Sequence, residues 1–243
     1  DLVAAVTAAV TPPRGPLAGK RVLVTAAGTR EPIDPVRYIG NRSSGKMGYA
    51  LAAEAARRGA VVDLVSGPTH LSPPAGVSVH QVETALEMRD AVLALADEAQ
   101  VVIKAAAVAD FRPAAPSGHK ISKQAGEVLQ VTLERNPDIL AELGQAKQGR
   151  PAGGPGSSPI LVGFAAETDL EEQRGHDKLL RKGLDLIVVN RVDAPDAGFE
   201  VDTNRAVLLS ADGQRTEVGL APKVELAAIV LDRIESLLRP GAG

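Results

Sequence analysis

The 243-residue chain has no cysteine and no tryptophan, and only three phenylalanines and two tyrosines. Without thiols there are no disulfides and no thiolate metal sites, which fits a reducing compartment. Aromatics make up only 2% of the residues, too few for a single-strand nucleic-acid face built on stacked rings. No apolar run approaches the ~18 residues needed to span a bilayer, and no signal peptide is apparent. Charge of one sign is also lacking. With a net charge of −3, no overall field draws in nucleic acid, so an anion has to be held by a local site. The four histidines are scattered and form no metal cluster, and no Ser/His/Asp arrangement has a recognisable context. A cytoplasmic α/β protein is expected, with neither nucleic acid nor membrane as partner.

The chain does contain a regular alternation of short apolar runs and alanine-rich helical stretches. Residues 21–28 form an apolar run closed by glycine, read as a buried first strand. A polar, proline-bearing loop follows to Arg42, and a helix opens at Ser43-Ser44-Gly45-Lys46. Strands are expected at 61–66, 77–82, 101–107, 160–164 and 184–189, and helices at 85–99, 138–145 and 170–182. This rhythm predicts crossovers and a Rossmann-like, mostly parallel sheet with helices on both faces. Runs at 206–210 and 215–218 flank Ala211-Asp212-Gly213 and predict a C-terminal β-hairpin appendage, with an amphipathic helix over 222–238 closing the chain. Residues 1–18 read as a linker or helical remnant of an upstream domain, and 19–243 as one domain. The Gly/Pro/Ser-rich stretch 148–159 reads as a mobile loop.

Several segments carry chemistry. Gly40 to Lys46 has the spacing of a phosphate-binding P-loop, but Met47 stands where that loop needs a Mg²⁺-binding hydroxyl, and a long loop precedes it instead of a strand. The amides of Ser43, Ser44 and Gly45 at a helix start still form an anion site; the alternative is that the serines only cap the helix. No G-x-G-x-x-G follows the first strand, so the dinucleotide fingerprint is absent. Asp34 and Arg37 lie in a proline-stiffened loop past a strand's carboxyl end, where open α/β sheets bind ligands; the alternative is a plain surface loop held by salt bridges. Lys104 to Asp110 ends another strand in small residues, which admit a flat ligand, and then an acid able to hold a metal ion. Lys120 and Lys123 sit on a strap that could fold over a polyphosphate. Asn136-Pro137-Asp138-Ile139-Leu140 begins a helix, with proline at its permitted early position. Gly163 to Thr168 repeats the pattern of small residues and an acid, and Lys178 and Lys182 share a face of the next helix. The chain offers anion sites and lysines instead of a nucleophile, which suits chemistry carried by positioning and charge stabilisation.

Taken in order, the segments 29–37, 41–48, 106–111, Lys120 with Lys123, 136–139 and 163–168 resemble bacterial phosphopantothenoylcysteine synthetase, also called phosphopantothenate–cysteine ligase. The resemblance runs from about Gly19 to the final helix. It implies a ligase domain over 19–243, the C-terminal half of a bifunctional protein whose upstream half is a flavin-dependent decarboxylase. It further implies a two-step reaction. The carboxylate of 4′-phosphopantothenate attacks the α-phosphate of CTP, with Mg²⁺, and L-cysteine's amine then displaces CMP from the acyl-cytidylate. Carried over by resemblance, Asn41 holds the acyl intermediate and Lys120 neutralises the phosphates. Ser43, Ser44, Gly45, Ala105, Ala106, Asp110, Pro137, Asp138, Ile139, Leu140, Phe164, Lys178 and Lys182 form the nucleotide set, with Asp110 also the metal ligand. Arg37, Asn41 and Ala107 face the acid substrate. A homodimer is implied, with the hairpin near 204–219 as a subunit contact. Three positions depart from the pattern: Ala27 stands where glycine is common, Lys104 replaces an apolar or small residue, and Ser122 falls in a stretch often richer in lysine. Two other classes remain to be separated, a NAD(P)-binding oxidoreductase on a similar sheet and a nucleotide-binding regulatory domain without chemistry.

Overall fold

The structure is a computed structural model, and it describes residues 15–122, 128–148, 158–167, 171–191 and 201–239. The helical reading of the first residues, Lys123, most of the Gly/Pro/Ser-rich stretch and Thr168 lie outside the described residues. Eight strands form one sheet. In chain order they are β1 (Arg21–Ala26), β4 (Val61–Ser66), β5 (Val77–Gln81), β6 (Val101–Lys104), β9 (Ile160–Glu167), β10 (Leu186–Arg191), β11 (Thr203–Ser210) and β12 (Arg215–Pro222). Their spatial order is β12-β11-β10-β9-β6-β1-β4-β5. The pairings from β5 across to β10 are parallel, while β10–β11 and β11–β12 are antiparallel. The expected hairpin is therefore present, and it continues the main sheet through β10. Two small antiparallel pairs lie outside the sheet: β2 (Arg30–Pro32) with β3 (Tyr38–Gly40), and β7 (Phe111–Pro113) with β8 (Leu133–Arg135). The first of these occupies the stretch read as loop.

Alternation along each strand supplies both faces of the core, as the period of two requires. Val22 and Val24 belong to one apolar cluster and Leu23 to the other; Leu186 and Val188 separate from Ile187 and Val189 in the same way. Helices α1 (Lys46–Arg57) and α5 (Lys223–Leu238) cover the first face, through Leu51, Ala55, Leu226 and Val230. Helices α2 (Ala85–Ala96) and α3 (Ile139–Gln148) cover the second through Met88, Val92, Ile139 and Leu143, and α4 (Glu171–Arg181) adds Leu179. α2 starts in a capping box, Thr84 accepting from the Glu87 amide while Glu87 reaches back. At the far end of α1, the buried Arg58 guanidinium donates to Glu54, Asp232, Glu235 and the Ala228 carbonyl, tying α1 to α5. Burial works against that charge, and the three carboxylates more than offset it and raise the Arg58 pKa above its ordinary value.

The chain runs from β1 outward to β4 and β5, then crosses back and builds β6, β9 and β10 on the other side. The reversal between β1 and β6 opens a crevice at their carboxyl ends, where open α/β sheets take ligands. Two residues at this edge have left-handed backbone: Gly45 at φ 83° and Ala27 at φ 65°. Alanine is strained there by about 1–2 kcal/mol, whereas glycine adopts the conformation freely at a smaller entropic cost. Ala27→Gly is expected to raise the unfolding free energy by roughly 0.5–1 kcal/mol. Urea unfolding of the two proteins checks this, and a fall in stability would show that the Ala27 methyl packs better than its backbone strains.

Candidate active site

The crevice holds a cavity of about 590 Å³, lined from four sides. Its floor is the segment that leaves β6. This backbone parts from the sheet after Lys104, and side chains supply its hydrogen bonds: the Ala106 amide donates to Thr25 Oγ1 at 3.1 Å and the Ala109 amide to Thr29 Oγ1 at 3.0 Å. The Ala107 amide bonds the Ala27 carbonyl at 2.8 Å. From the other direction Asn136 Nδ2 donates to the Ala109 carbonyl at 2.8 Å, and the Asn136 amide to that of Asp110 at 2.8 Å. Ala105, Ala106, Ala107 and Asp110 line the cavity on backbone fixed in this way. Asp110 is exposed.

The second side is the start of α1. Gly45, not a serine, occupies the cap position, and no side-chain hydrogen bond closes this helix end. The serine-capping alternative is therefore set aside. Thr69 Oγ1 instead holds the turn by donating to the Ser44 carbonyl at 2.9 Å. Gly48 lets the helix start press onto β1, since a Cβ there would lie 2.5 Å from that of Ala26 and 2.9 Å from the Thr25 carbonyl oxygen. Asn41 sits where its loop crosses Gly28, at which a Cβ would be 2.8 Å from the Asn41 carbonyl oxygen. Its side-chain amide donates to the Val108 carbonyl at 3.1 Å, which joins this side to the floor. Asn41, Ser43, Ser44 and Gly45 all line the cavity.

The third side carries the charge. Asp138 caps α3 by accepting from the Ala141 amide and pairs with Lys182 at 2.6 Å. Pro137 therefore stands just before the cap, outside the first turn where it was expected. Burial tends to raise the Asp138 pKa, but Lys182 and the capping amide hold it below its ordinary value. Lys178 donates to the Phe164 carbonyl at 3.4 Å, and Phe164 and Ile139 close this wall. Lys104, singled out as a departure from the family pattern, lines the same end. Burial, then the nearby Lys178 and Lys182, lower its pKa to about 8 against the partial opposition of Asp138 and Asp110. On the fourth side stand Asn190, Asn204 and Lys223, none of which the sequence reading named. A usable signal was present, because Asn190 closes an apolar run just as Lys104 does.

Three expected residues do not line the cavity. Leu140 is buried beneath it; a Cβ on Gly163 would come within 2.9 Å of its Cδ2. Arg37 is engaged with the buried Asp34, through Nε at 2.9 Å and also Nη2, and donates to the Ile121 carbonyl at 2.9 Å. The Asp34 carboxyl also accepts from the Ile121 amide, and the Arg37 guanidinium holds its pKa well below the carboxylate range. The pair therefore fastens the 117–121 strap to the 33–37 loop. Lys120 is exposed on that strap. Among the described residues no group of three or more His, Asp or Glu side chains gathers to hold a metal ion. Nor is any described helix long and apolar enough to cross a membrane.

Fold and cavity together define an open, doubly wound α/β protein whose crevice lies at the strand reversal and is lined by several lysines and a helix start. Residues 17–238 match the family model described as the DNA/pantothenate metabolism flavoprotein C-terminal domain, and the chain belongs to that family. It is 46% identical over 223 residues to the coenzyme A biosynthesis bifunctional protein CoaBC of Bacillus subtilis, covering 91% of this chain and 52% of that one. Against the protein of the same name from Escherichia coli K12 it is 46% identical over 215 residues, covering 88% and 51%. It thus spans about half the length of these curated relatives. The crystal structure of the C-terminal domain of a CoaBC protein superposes with a TM-score of 0.76 at 42% identity, over 92% of this chain and 98% of that one.

The lowered pKa of Lys104 links stability to pH. The unfolded chain holds that proton up to the ordinary lysine value of 10.5, the folded chain only to about 8. Burying Lys104 therefore costs stability below about pH 8, and the cost fades as pH rises toward 10.5. Lys104→Met is expected to be more stable than the parent at pH 7 by on the order of 1–3 kcal/mol. At pH 10 the difference should largely vanish. Urea unfolding at the two pH values measures it.

Proposed function

We propose that this chain carries out the ligation of 4′-phosphopantothenate with L-cysteine in coenzyme A biosynthesis, through an acyl-cytidylate made with CTP. The observation that carries the reading is the convergence in one cavity of Asn41, the uncapped start of α1, the Lys104–Lys178–Lys182 group and the fixed backbone of 105–110. Membership of the family and the naming of both relatives for coenzyme A biosynthesis support it. The oxidoreductase reading has no glycine fingerprint behind it.

In this reading the substrate carboxylate attacks the α-phosphorus of CTP and pyrophosphate leaves. The reaction needs no protein nucleophile. It needs two anions brought together and the growing charge on the phosphoryl oxygens met by preset donors. Lys178 and Lys182, with Lys104 beside them, neutralise phosphate charge, and the amides at 43–45 donate to another anionic group. Asn41, fixed on the Val108 carbonyl, lies against the acyl group. Ala105 and Ala106 present backbone to the flat base, and Pro137, Asp138 and Ile139 close around it. A lone carboxylate at Asp110 fits a Mg²⁺ that arrives on the nucleotide, since that ion keeps waters and takes one or two carboxylates beside phosphate oxygens. When bound, the ion offsets charge on the triphosphate. Lys120, on a strap fastened by Asp34 and Arg37, reaches the phosphates when the strap lies over the cavity.

A homodimer goes with this reading. Val36, Tyr38, Phe111 and Leu133 remain exposed on the two touching small hairpins, which supports self-association there as well as at β11–β12, where Leu220 is exposed. The upstream decarboxylase is proposed as the other half of the full-length protein.

Mass spectrometry of the products from phosphopantothenate, CTP and cysteine tests the function. Phosphopantothenoylcysteine, CMP and pyrophosphate are expected together. Equal pyrophosphate release with ATP, or no cysteine in the product, would rule the reading out. Lys182→Met is expected to lower kcat/KM for CTP by about 10²-fold, in line with removing one preset charge from a phosphoryl site.

A further inference from the structure

The fourth side of the cavity has a feature that nucleotide and phosphopantothenate binding leave unused. Asn204 is 3% exposed and lines the cavity, and its side-chain oxygen has no hydrogen-bond partner among the described residues. Its amide nitrogen is engaged, donating to Asn190 Oδ1 at 3.2 Å, which fixes the carbonyl as the free end. A buried acceptor left unpaired costs about 1–3 kcal/mol, so its retention calls for a donor that arrives with a ligand. The backbone adds a second sign. The β11–β12 register shifts between Asn204 and Ala206, a bulge of the kind that re-aims a side chain beside an active site.

The surroundings limit what that donor is. Asp202 is paired with Lys46 at 2.6 Å, so its charge is already spent. Lys223 lines the cavity nearby, donating to the Val201 carbonyl; burial and then Lys46 depress its pKa. With Lys46 offset by Asp202, the Lys223 ammonium leaves this side net positive, which disfavours a metal cation or a second fixed positive charge. That charge favours a neutral amine over its protonated form, and it attracts a carboxylate on the same molecule. A neutral acceptor beside it accepts an N–H without stabilising the ammonium, as a carboxylate would.

We propose that Asn204, held by Asn190 and flanked by Lys46 and Lys223, is the subsite for the amino-acid co-substrate, its side-chain oxygen accepting from the attacking α-amine. This rests on the ligase reading above. The α-ammonium gives one proton to solvent as it enters. Asn204 holds one remaining N–H, so the lone pair points at the acyl carbon of the cytidylate. The C–N bond forms and the bond from the acyl carbon to the phosphate oxygen breaks. CMP departs, and the second nitrogen proton passes to its phosphate. The carboxylate of the amino acid lies against the net positive charge that Lys223 leaves on this side.

The experiment separates the two half-reactions in the whole protein. Exchange of labelled pyrophosphate into CTP, with phosphopantothenate and no cysteine, reports the first; product formation at varied cysteine reports the second. Asn204→Ala is expected to raise the cysteine KM at least tenfold, with the KM for CTP and the exchange rate within threefold of the parent. Asn204→Ser, which keeps a short acceptor, should recover part of the loss, and thermal melting confirms that both variants fold. An unchanged cysteine KM in a folded variant overturns the proposal, as does a parallel rise in the KM values for CTP and cysteine. If the parent protein itself shows exchange but no cysteine-dependent product, the ligase reading has failed, and the subsite falls with it.

Discussion

A backbone that leaves a parallel sheet loses its neighbours' hydrogen bonds, and its peptide groups must be satisfied some other way. In this protein that requirement falls on residues 105–110, and the rest of the site is arranged around how it is met. Thr25 and Thr29 reach across from the strand end and turn of β1, Asn41 from the loop above, and Asn136 from the entry to α3. The four side chains come from three separate parts of the chain, yet all bind one short stretch of main chain. The floor of the cavity is therefore as fixed as a strand while its own side chains stay small. A flat ligand can lie against peptide groups with little in the way.

Charge is treated differently. Cations crowd one end of the cavity: Lys182 pairs with Asp138, while Lys104 is pushed toward its neutral form by burial and by its neighbours. A polyanion seated there would offset this mutual repulsion, so electrostatics favour the loaded state. The strap carrying Lys120 is kept apart from this repulsion. The Asp34–Arg37 pair bonds it to a proline-stiffened loop, not to the cavity wall.

Much of the architecture was legible because the sheet is buried on both faces. The apolar runs at β1 and β4 gave their strands with little error, and the alternation of strand and helix predicted the parallel crossovers. The small hairpins were not legible: β2, β3, β7 and β8 are three residues each, two contain proline, and no periodicity shows in so short a run. The helix start at 43–45 was read from its residues as an anion site, but the shape of its turn was not legible. Left-handed Gly45 and the grip of Thr69 on the Ser44 carbonyl are properties of the folded turn. Asn190 and Asn204 were missed because they lie on different strands, with a bulge needed to turn the second inward. Lys104 was noticed as an oddity of sequence, and only its placement beside Lys178 and Lys182 gave it a physical consequence.

The buried Arg58 knot does more than hold two helices together. Lys46 and Lys223, at the starts of α1 and α5, both line the cavity, while Arg58 joins the end of α1 to the body of α5. The two helices therefore run side by side in the same direction, with their positive macrodipole ends at one rim. Parallel dipoles repel, and α1–α5 packing together with the Arg58 carboxylate cluster clamps them against that repulsion. An anion seated between the tips would meet both dipoles at once, and the knot that holds the far ends together keeps the two tips in register for it.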